Sequence, residues 1–315
     1  MIVWFIIGIT LIVIALYIYY PREKKKYNLP SCHILNNTNI SELTYDKDMA
    51  KKKLSSYGAP VPRSIYLKYE DIIRMTTAEL KQMIERLMRT NKLGYPVVMK
   101  PTKGECGNGI VTSIMNIKHL MESIEHYIAS DEYTSDLLIE RQHDGKVYRV
   151  LYVNKKLVGI IERDHPIVTG DGIHTIGRLV ERMNKHIKTD NHIVINNYFI
   201  GNRGYTPESV LEKGKILAVT NKLDFTGCRQ KNIPIDTIHS ENKRMFDILF
   251  DMLDIDCVGV DYISTDITKP YYEADGVILE LNSRPDRIIH MMIDPLFNDR
   301  YMAEFKSLGQ IKLNR

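Results

Sequence analysis

Two distant segments of this chain constrain its fold most, because together they carry the residue types that bind phosphate and a divalent metal ion. Residues 97–109 have the sequence VVMKPTKGECGNG, in which an apolar run ends at Lys100 and three glycines follow. Glycine has no Cβ, so backbone N–H groups can approach a phosphate while the lysine neutralises its charge. Residues 279–285 have the sequence LELNSRP. On a strand, Glu280 and Asn282 project from one face, as oxygen ligands of Mg²⁺ require.

Each segment also has an ordinary structural interpretation when it is taken alone. A glycine-rich stretch without the Walker order is often only a turn. A Glu-x-Asn at a strand end is often surface or capping chemistry. The two segments therefore indicate a metal-nucleotide site only in combination.

Composition excludes several classes of protein. The chain of 315 residues is long enough for one large or two modest domains. Its net charge of +4 comes from dispersed lysines and arginines, so nucleic-acid binding is not expected. The four cysteines form no CxxC pair, which predicts reduced thiols, a cytosol-like compartment and no zinc site.

The N-terminal segment has the composition of a membrane helix. Residues 1–20 carry no charged side chain, and about 20 residues span a bilayer core of roughly 30 Å. Three tyrosines within residues 17–20 precede Arg22 and three lysines, which favours an uncleaved anchor over a signal peptide. The basic flank predicts that everything after it is cytosolic. Two glycosylation sequons, at residues 36–38 and 39–41, indicate the opposite orientation, which the unpaired cysteines oppose.

The remaining chain predicts an α+β protein in which hairpins are flanked by helices. Residues 21–44 are polar and aperiodic and predict a tether, and residues 45–315 predict the globular domain. Apolar periodicity and capping residues predict helices at residues 46–57, 77–91, 116–129, 175–186 and 240–253. Strands are predicted at residues 97–100, 110–114, 137–140, 148–153, 157–163, 258–263 and 277–282.

An ordered set of short motifs lies along the predicted helices and strands from residue 46 to residue 290. Its parts are DKxxAK at 46–51, GxPVP at 58–62, PVVxKP at 96–101 with the glycine loop, IE at 139–140, GxxYRVL at 145–151, ER at 162–163, GDGIHTI at 170–176, GVD at 259–261 and ELNSRP at 280–285 with His290. In these motifs the chain resembles the ATP-grasp superfamily, and most closely the ligase modules of cyanophycin synthetase and bifunctional glutathione synthetase. The GDGIHTI run favours the cyanophycin-synthetase-like branch.

The resemblance implies an ATP-grasp fold, in which two α+β subdomains at about residues 95–145 and 146–295 clasp ATP. It implies an ATP-dependent ligase that activates a carboxylate as an acylphosphate and forms an amide, with Mg²⁺, or alternatively Mn²⁺, as the metal. The residues that it assigns to nucleotide binding are Lys47, Lys100, Gly104, Gly107, Gly109, Glu140, Arg141, Gln142 and His143. Asp261, Glu280 and Asn282 are its metal ligands, and Arg163, Arg284 and His290 its catalytic residues.

Several of these residues have a simpler alternative. Lys47 and Lys51 could form a solvated helix face, and Arg163 could pair with Glu162 or Asp164. Asp266 and Asp275 compete with Asp261 for the metal role. His174 is expected to cap or pack, and His290 taken alone is more often structural than catalytic.

The chain also departs from the family pattern. Val147 stands where relatives usually carry an acidic residue suited to ribose hydroxyls, and Asp286 stands where they commonly have glycine. We therefore consider three functions: a membrane-anchored carboxylate-amine ligase, a non-catalytic nucleotide-binding module that recruits a partner to a membrane, and a kinase-like phosphotransferase. Expected partners of the ligase are an amino-acid or peptide substrate, the membrane and, because ATP-grasp relatives often dimerise, a second copy of the chain.

Overall fold

The computed structural model describes residues 36, 38–104, 107–130, 134–187, 192–220 and 230–313. The chain divides into two units, Met1–Ser31 and Cys32–Arg315, and every described residue belongs to the second. The predicted membrane helix at residues 1–20 lies outside the described residues. Among the helices that are described, none is long and apolar enough to cross a membrane.

The described elements alternate between helices and short strands. In chain order they are α1 (Thr38–Tyr45), α2 (Lys47–Ser56), β1 (Ser64–Leu67), α3 (Tyr69–Arg74), α4 (Thr77–Thr90), β2 (Val97–Pro101), β3 (Val111–Ile114), α5 (Ile117–Ala129), β4 (Leu137–Arg141), β5 (Lys146–Val153), β6 (Lys156–Arg163), β7 (Ile167–Thr169), α6 (Ile176–Asn184), α7 (Asn197–Gly201), β8 (Ile216–Ala218), β9 (Gln230–Ile233), α8 (Ser240–Met252), β10 (Cys257–Ser264), β11 (Val277–Asn282), α9 (Ile288–Ile293) and α10 (Phe297–Leu313).

Two antiparallel sheets form the framework. The first has four strands in the order β1-β4-β2-β3, and the predicted hairpin of β2 and β3 brackets the glycine loop. Its core includes Ile84 of α4 and Leu120 and Ile124 of α5, all fully buried. The second sheet has five strands in the order β11-β10-β5-β6-β9, all antiparallel to their neighbours. Phe246 and Phe250 of α8 pack against one face of this sheet.

A third, smaller core follows β6. It consists of the two-stranded sheet β7-β8 with α6 and α7. The helix predicted at residues 175–186 corresponds to α6, whereas no element was predicted at β7, α7 or β8. The GDGIHTI run lies here and is a turn that starts α6. Asp171 Oδ1 accepts hydrogen bonds from the backbone N–H groups of Ile173 and His174, and Thr175 caps the helix. This motif therefore has a structural role at the start of α6, which agrees with the expectation that His174 caps or packs.

The tether prediction does not hold for residues 38–44, because they form α1 in the globular unit. The polar residues of this segment bond to the second sheet instead of to water. The Asn36 amide donates to the carbonyls of Cys257 and Ser283 at 2.6 and 3.0 Å and accepts from Cys257 N at 3.0 Å. Thr44 Oγ1 donates to Ser283 Oγ at 2.8 Å. A short polar segment without periodicity gives no sign of such distant partners.

The prediction of reduced thiols is wrong for Cys257, which is disulfide-bonded. The other three cysteines lie outside the described residues. Their spacing along the sequence predicted isolated thiols, but sequence separation does not limit which thiols a fold brings together. The cysteine argument for a reducing compartment therefore loses its basis.

Candidate active site

Asp261, Glu280 and Asn282 lie on one face of the two neighbouring strands β10 and β11. Asp261 is directly opposite Glu280 in the register, and Gly259 is opposite Asn282. Side chains directly opposite in an antiparallel pair share a face, as do residues two apart on one strand. The fold therefore brings the three predicted metal ligands together.

Two arginines lie beside Asp261, one on β5, the strand next to β10, and one on β6, the strand beyond it. Arg149 on β5 is its register partner and forms an ion pair of 2.8 Å between Nε and Asp261 Oδ1. Arg163 Nη1 on β6 is 3.9 Å from the same oxygen. Sequence reasoning gave no role to Arg149. The available signal was that Arg149 is a charged residue within an otherwise apolar strand.

The three side chains fit a hard cation. Asp261 and Glu280 supply carboxylate oxygens and Asn282 an amide oxygen, which are the oxygen ligands that Mg²⁺ and similar cations bind. Burial, followed by the charge of Asp261, raises the pKa of Glu280, and a cation between the two carboxylates would relieve both effects. The described residues contain no cluster of three or more His, Cys, Asp or Glu suited to a metal. Two carboxylates with phosphate oxygens suit Mg²⁺, which is rarely bound by protein alone.

A buried cluster of two lysines and one glutamate lies on the first sheet. Lys100 Nζ is 2.9 Å from Glu140 Oε2, and Lys51 of α2 forms an ion pair with Glu140 Oε1. Burial outweighs the attraction of Glu140 and lowers the pKa of Lys51 to about 8. Burial disfavours the charged form of Glu140, but Lys100 and Lys51 more than offset it and hold its pKa below the usual value. The excess of positive charge favours an anion such as a polyphosphate.

Lys47 connects the glycine loop to the metal ligands. Its Nζ donates to Gly104 O at 2.6 Å and is 3.9 Å from Glu280 Oε1. Lys100 Nζ also bridges the two sheets, through a 3.3 Å hydrogen bond to Leu279 O. Neither Lys47 nor Lys51 is on a solvated helix face, because both are buried. The phosphate-binding and metal-binding residue types therefore meet between the sheets.

The glycine loop needs its glycines for conformation. Gly104, Gly107 and Gly109 all have positive φ, which side chains with a Cβ rarely adopt. A Cβ on Gly109 would also approach Pro101 Cγ to 2.7 Å. The two residues between Gly104 and Gly107 lie outside the described part of the chain.

The four residues predicted to line an adenine hinge have different surroundings. Glu140 is directed into the lysine cluster. Gln142 Oε1 accepts a 2.7 Å hydrogen bond from Ser113 N. His143 Nδ1 is 2.9 Å from Asp275 Oδ2, and the exposed Arg141 is 3.9 Å from the same oxygen. Asp275 is therefore engaged away from the metal ligands, and the adenine role of this segment stays a prediction.

The predicted catalytic residues separate into two groups. Arg163 is buried beside Asp261. Arg284 is exposed and makes no hydrogen bond or ion pair with a described residue. His290 is 1% exposed, stacks on Phe297 with a centroid distance of 5.0 Å, and has no hydrogen-bond partner at either ring nitrogen. Burial, then the charges of Arg149, Arg163 and Arg300, lower its pKa to about 3, so it is neutral at pH 7.

Comparison with known proteins identifies sequences similar to this chain. No family model matches the chain. It is 34% identical over 264 residues to cyanophycin synthetase from Synechocystis sp., which covers 79% of this chain and 28% of the relative. It is 31% identical over 293 residues to cyanophycin synthetase from Geminocystis herdmanii, covering 85% and 32%. The chain thus spans about a third of the length of these relatives.

Solved structures agree on the fold. A bifunctional glutathione synthetase from Pasteurella multocida superposes with a TM-score of 0.50 at 18% identity, covering 87% of this chain and 37% of the other. D-alanine–D-alanine ligase from Bacillus anthracis gives a TM-score of 0.50 at 15% identity, covering 86% and 70%. The chain belongs to the ATP-grasp superfamily, which confirms the predicted α+β fold.

Proposed function

We propose that this chain is an ATP- and Mg²⁺-dependent carboxylate-amine ligase acting on amino acids or peptides. The observation that carries the proposal is the shared face of Asp261, Glu280 and Asn282. It lies beside Lys47 of α2 and Lys100 of the first sheet. In the reaction a substrate carboxylate oxygen accepts the γ-phosphoryl group of ATP and ADP leaves. An amine then displaces inorganic phosphate from the acylphosphate carbonyl and loses a proton, which leaves an amide.

The residues of this chain divide the work by charge. Bound Mg²⁺ neutralises phosphate oxygens during phosphoryl transfer. Asp261, Glu280 and Asn282 would hold that ion. Lys47 and Lys100 would balance the remaining phosphate charge, and the glycine loop would close over the phosphates. Arg163 has the planar guanidinium that suits a transferring phosphoryl group or a carbonyl oxygen.

The direct test is ADP release by the purified full chain with Mg²⁺-ATP and a panel of amino acids and dipeptides. We expect release that depends on substrate, with an amide product identified by mass spectrometry. Glu280→Ala and Lys100→Ala should abolish it, whereas Glu122→Gln, on the exposed surface of α5, should not. Calorimetric titration with Mg²⁺-ATP separates lost binding from lost chemistry. A stable phosphorylated product without amine incorporation would instead indicate a phosphotransferase.

One observation favours a non-catalytic nucleotide-binding module as the second candidate. Val147 is two residues before Arg149 on β5, so it faces the candidate site at the position where an acidic ribose contact is expected. Mg²⁺-ATP binding that is lost in Glu280→Ala, together with no ADP release on any substrate, would support this alternative.

We also propose that residues 1–20 anchor the protein in a membrane, on the basis of their composition. The full chain should stay in the membrane pellet after alkaline extraction, whereas a chain without residues 1–35 should not. The basic flank predicts a cytosolic globular unit, and the disulfide at Cys257 argues against it. Protease protection of sealed vesicles decides between these orientations. Light scattering of the purified protein tests the expected homodimer.

A further inference from the structure

A second cleft lies on the reverse face of the five-stranded sheet. Its volume is about 460 Å³, within the range of roughly 300–1,000 Å³ that is usual for small-molecule sites. Tyr148, Ile233, Pro234 and Ile267 contribute an apolar surface to it. The polar residues that line it are Lys146, Glu162, Lys231, Thr237, Thr265, Asp266 and Thr268.

The strand register separates this cleft from the candidate active site. Tyr148, Glu162 and Lys231 form one row across β5, β6 and β9. Tyr148 and its neighbour in the register, Tyr262, belong to the core on the α8 side of the sheet. Arg163 follows Glu162 on β6 and faces Asp261 on the other side. The two sites are therefore back to back on the same strands.

The cleft contains charges of both signs, and two of them form no ion pair with a described residue. Glu162 is buried and pairs with Lys146 at 2.7 Å. Lys231 makes no side-chain hydrogen bond or ion pair with any residue that the structure describes. Asp266 accepts hydrogen bonds from Thr268 N at 2.9 Å and Thr268 Oγ1 at 2.7 Å, which, with smaller contributions from the charges of Lys269 and Lys146, lower its pKa. No described cation forms an ion pair with Asp266 within 4.0 Å. One cation and one carboxylate therefore remain available beside an apolar surface.

From this arrangement we propose that the cleft binds an α-amino acid with an apolar side chain, as a site distinct from the nucleotide site. Lys231 binds the ligand carboxylate, and Asp266 binds its ammonium group. The ligand side chain packs on Ile233, Pro234 and Ile267. The Lys146–Glu162 pair keeps the wall between the two charges polar but neutral, so it does not compete for the ligand. Because Glu162 and Arg163 are consecutive on β6, occupancy of the cleft is positioned to influence the candidate active site.

Equilibrium dialysis of the full chain with radiolabelled L-leucine tests the proposal. We expect saturable binding with a Kd of about 1 mM or tighter, in the absence of ATP. Isopentylamine lacks the carboxylate and 4-methylpentanoate lacks the ammonium group, and each should compete at least about tenfold more weakly than leucine. Lys231→Met and Asp266→Asn should each weaken leucine binding by a similar factor.

The control variants are Lys118→Met and Glu122→Gln, which change exposed charges on α5 and should leave leucine binding intact. The unfolding midpoints of the cleft variants verify that they are folded. Absence of saturable leucine binding would overturn the proposal. Binding that is lost in Glu280→Ala but kept in Lys231→Met would also overturn it, because it would locate the amino acid beside the metal ligands. Neither result depends on ligase activity, so failure of the proposed function is distinguishable.

Discussion

The lysine cluster of the first sheet and the metal-ligand face of the second sheet differ in how completely their buried charged and polar groups are paired. Glu140 lies between Lys51 and Lys100, so each buried charge of the cluster has a partner. On the metal-ligand face, Asp261 pairs with Arg149 at 2.8 Å, but the cation nearest to Glu280 among the described ion pairs is 3.9 Å away. Asn282 Nδ2 and both ring nitrogens of the nearby His290 are buried without hydrogen bonds. One half of the site is internally satisfied, and the other half is satisfied only in part.

This difference has a physical meaning. Buried polar groups without partners destabilise a fold, so a protein keeps them where a ligand will satisfy them. The two buried lysines need a counter-charge in the absence of phosphate, because an unpaired buried charge destabilises the fold. Glu140 provides that counter-charge. We infer that the first sheet holds a preformed anion site, whereas the metal-ligand face is completed by its cation.

The largest expected effect is the loss of activity when a carboxylate of the metal-ligand face is removed. Glu280→Gln should lower substrate-dependent ADP release by at least about 100-fold, because it removes one of two carboxylates expected to hold the metal. The measurement is steady-state ADP release over a range of Mg²⁺ concentrations. Glu122→Gln is the matched control. Activity of the Glu280→Gln variant within a few fold of wild type would refute the metal role.

The second prediction compares Glu140 and Glu280 by stability, and here the larger effect is expected at Glu140. Glu140→Gln should lower the free energy of unfolding by about 3–5 kcal/mol, because it leaves two buried lysines without a counter-charge. Glu280→Gln should change it by no more than about 1 kcal/mol, because its nearest described cation, Lys47, is 3.9 Å away. Urea denaturation of both variants without nucleotide gives the comparison. Equal losses would show that the two halves are equally satisfied.

Sequence alone predicted one part of this contrast. The alternation of Glu280 and Asn282 predicted that both side chains project from one face of a strand, and they do on β11. The register that sets Asp261 opposite Glu280 follows from the fold, and the metal role of the three residues stays a prediction. The partner of Lys51 was not predictable, because Glu140 is far away in the chain and belongs to a strand whose pairing no local signal specifies. Arg149 was missed for a related reason. Its role depends on which strand lies beside β10, and this follows from the fold.

One of the least predictable regions was the segment held by long-range hydrogen bonds. Asn36 and Thr44 belong to a segment without periodicity, yet they fix α1 to the end of the second sheet. In the core around α6 and α7, periodicity predicted α6 but not β7, α7 or β8, which are only 3, 5 and 3 residues long. Local pattern predicted elements with a long apolar face and failed where the stabilising partner is distant.

The third prediction uses pH to test whether burial lowers the pKa of Lys51. The pKa of Lys51 in the folded protein is about 8, below the value of 10.5 that applies when it is unfolded. Between these values the unfolded state binds more protons, so the free energy of unfolding rises with pH. The contribution is at most about 3 kcal/mol. Urea titrations from pH 7.5 to 10.5 should show this rise in wild type and a smaller one in Lys51→Met. Identical slopes would contradict the shifted pKa.

The smallest expected effect tests how tightly the unsatisfied His290 is held. A Cβ on Gly159 would come within 2.6 Å of His290 Nδ1, so Gly159→Ala should lower the free energy of unfolding by about 1–3 kcal/mol. Gly94→Ala is the matched control, because a Cβ there meets no atom within 4 Å. The loss should be smaller when His290→Ala is already present, which a double-mutant cycle in urea measures. An undiminished loss would mean that His290 does not confine this strand and that its ring is free to move toward the arginines.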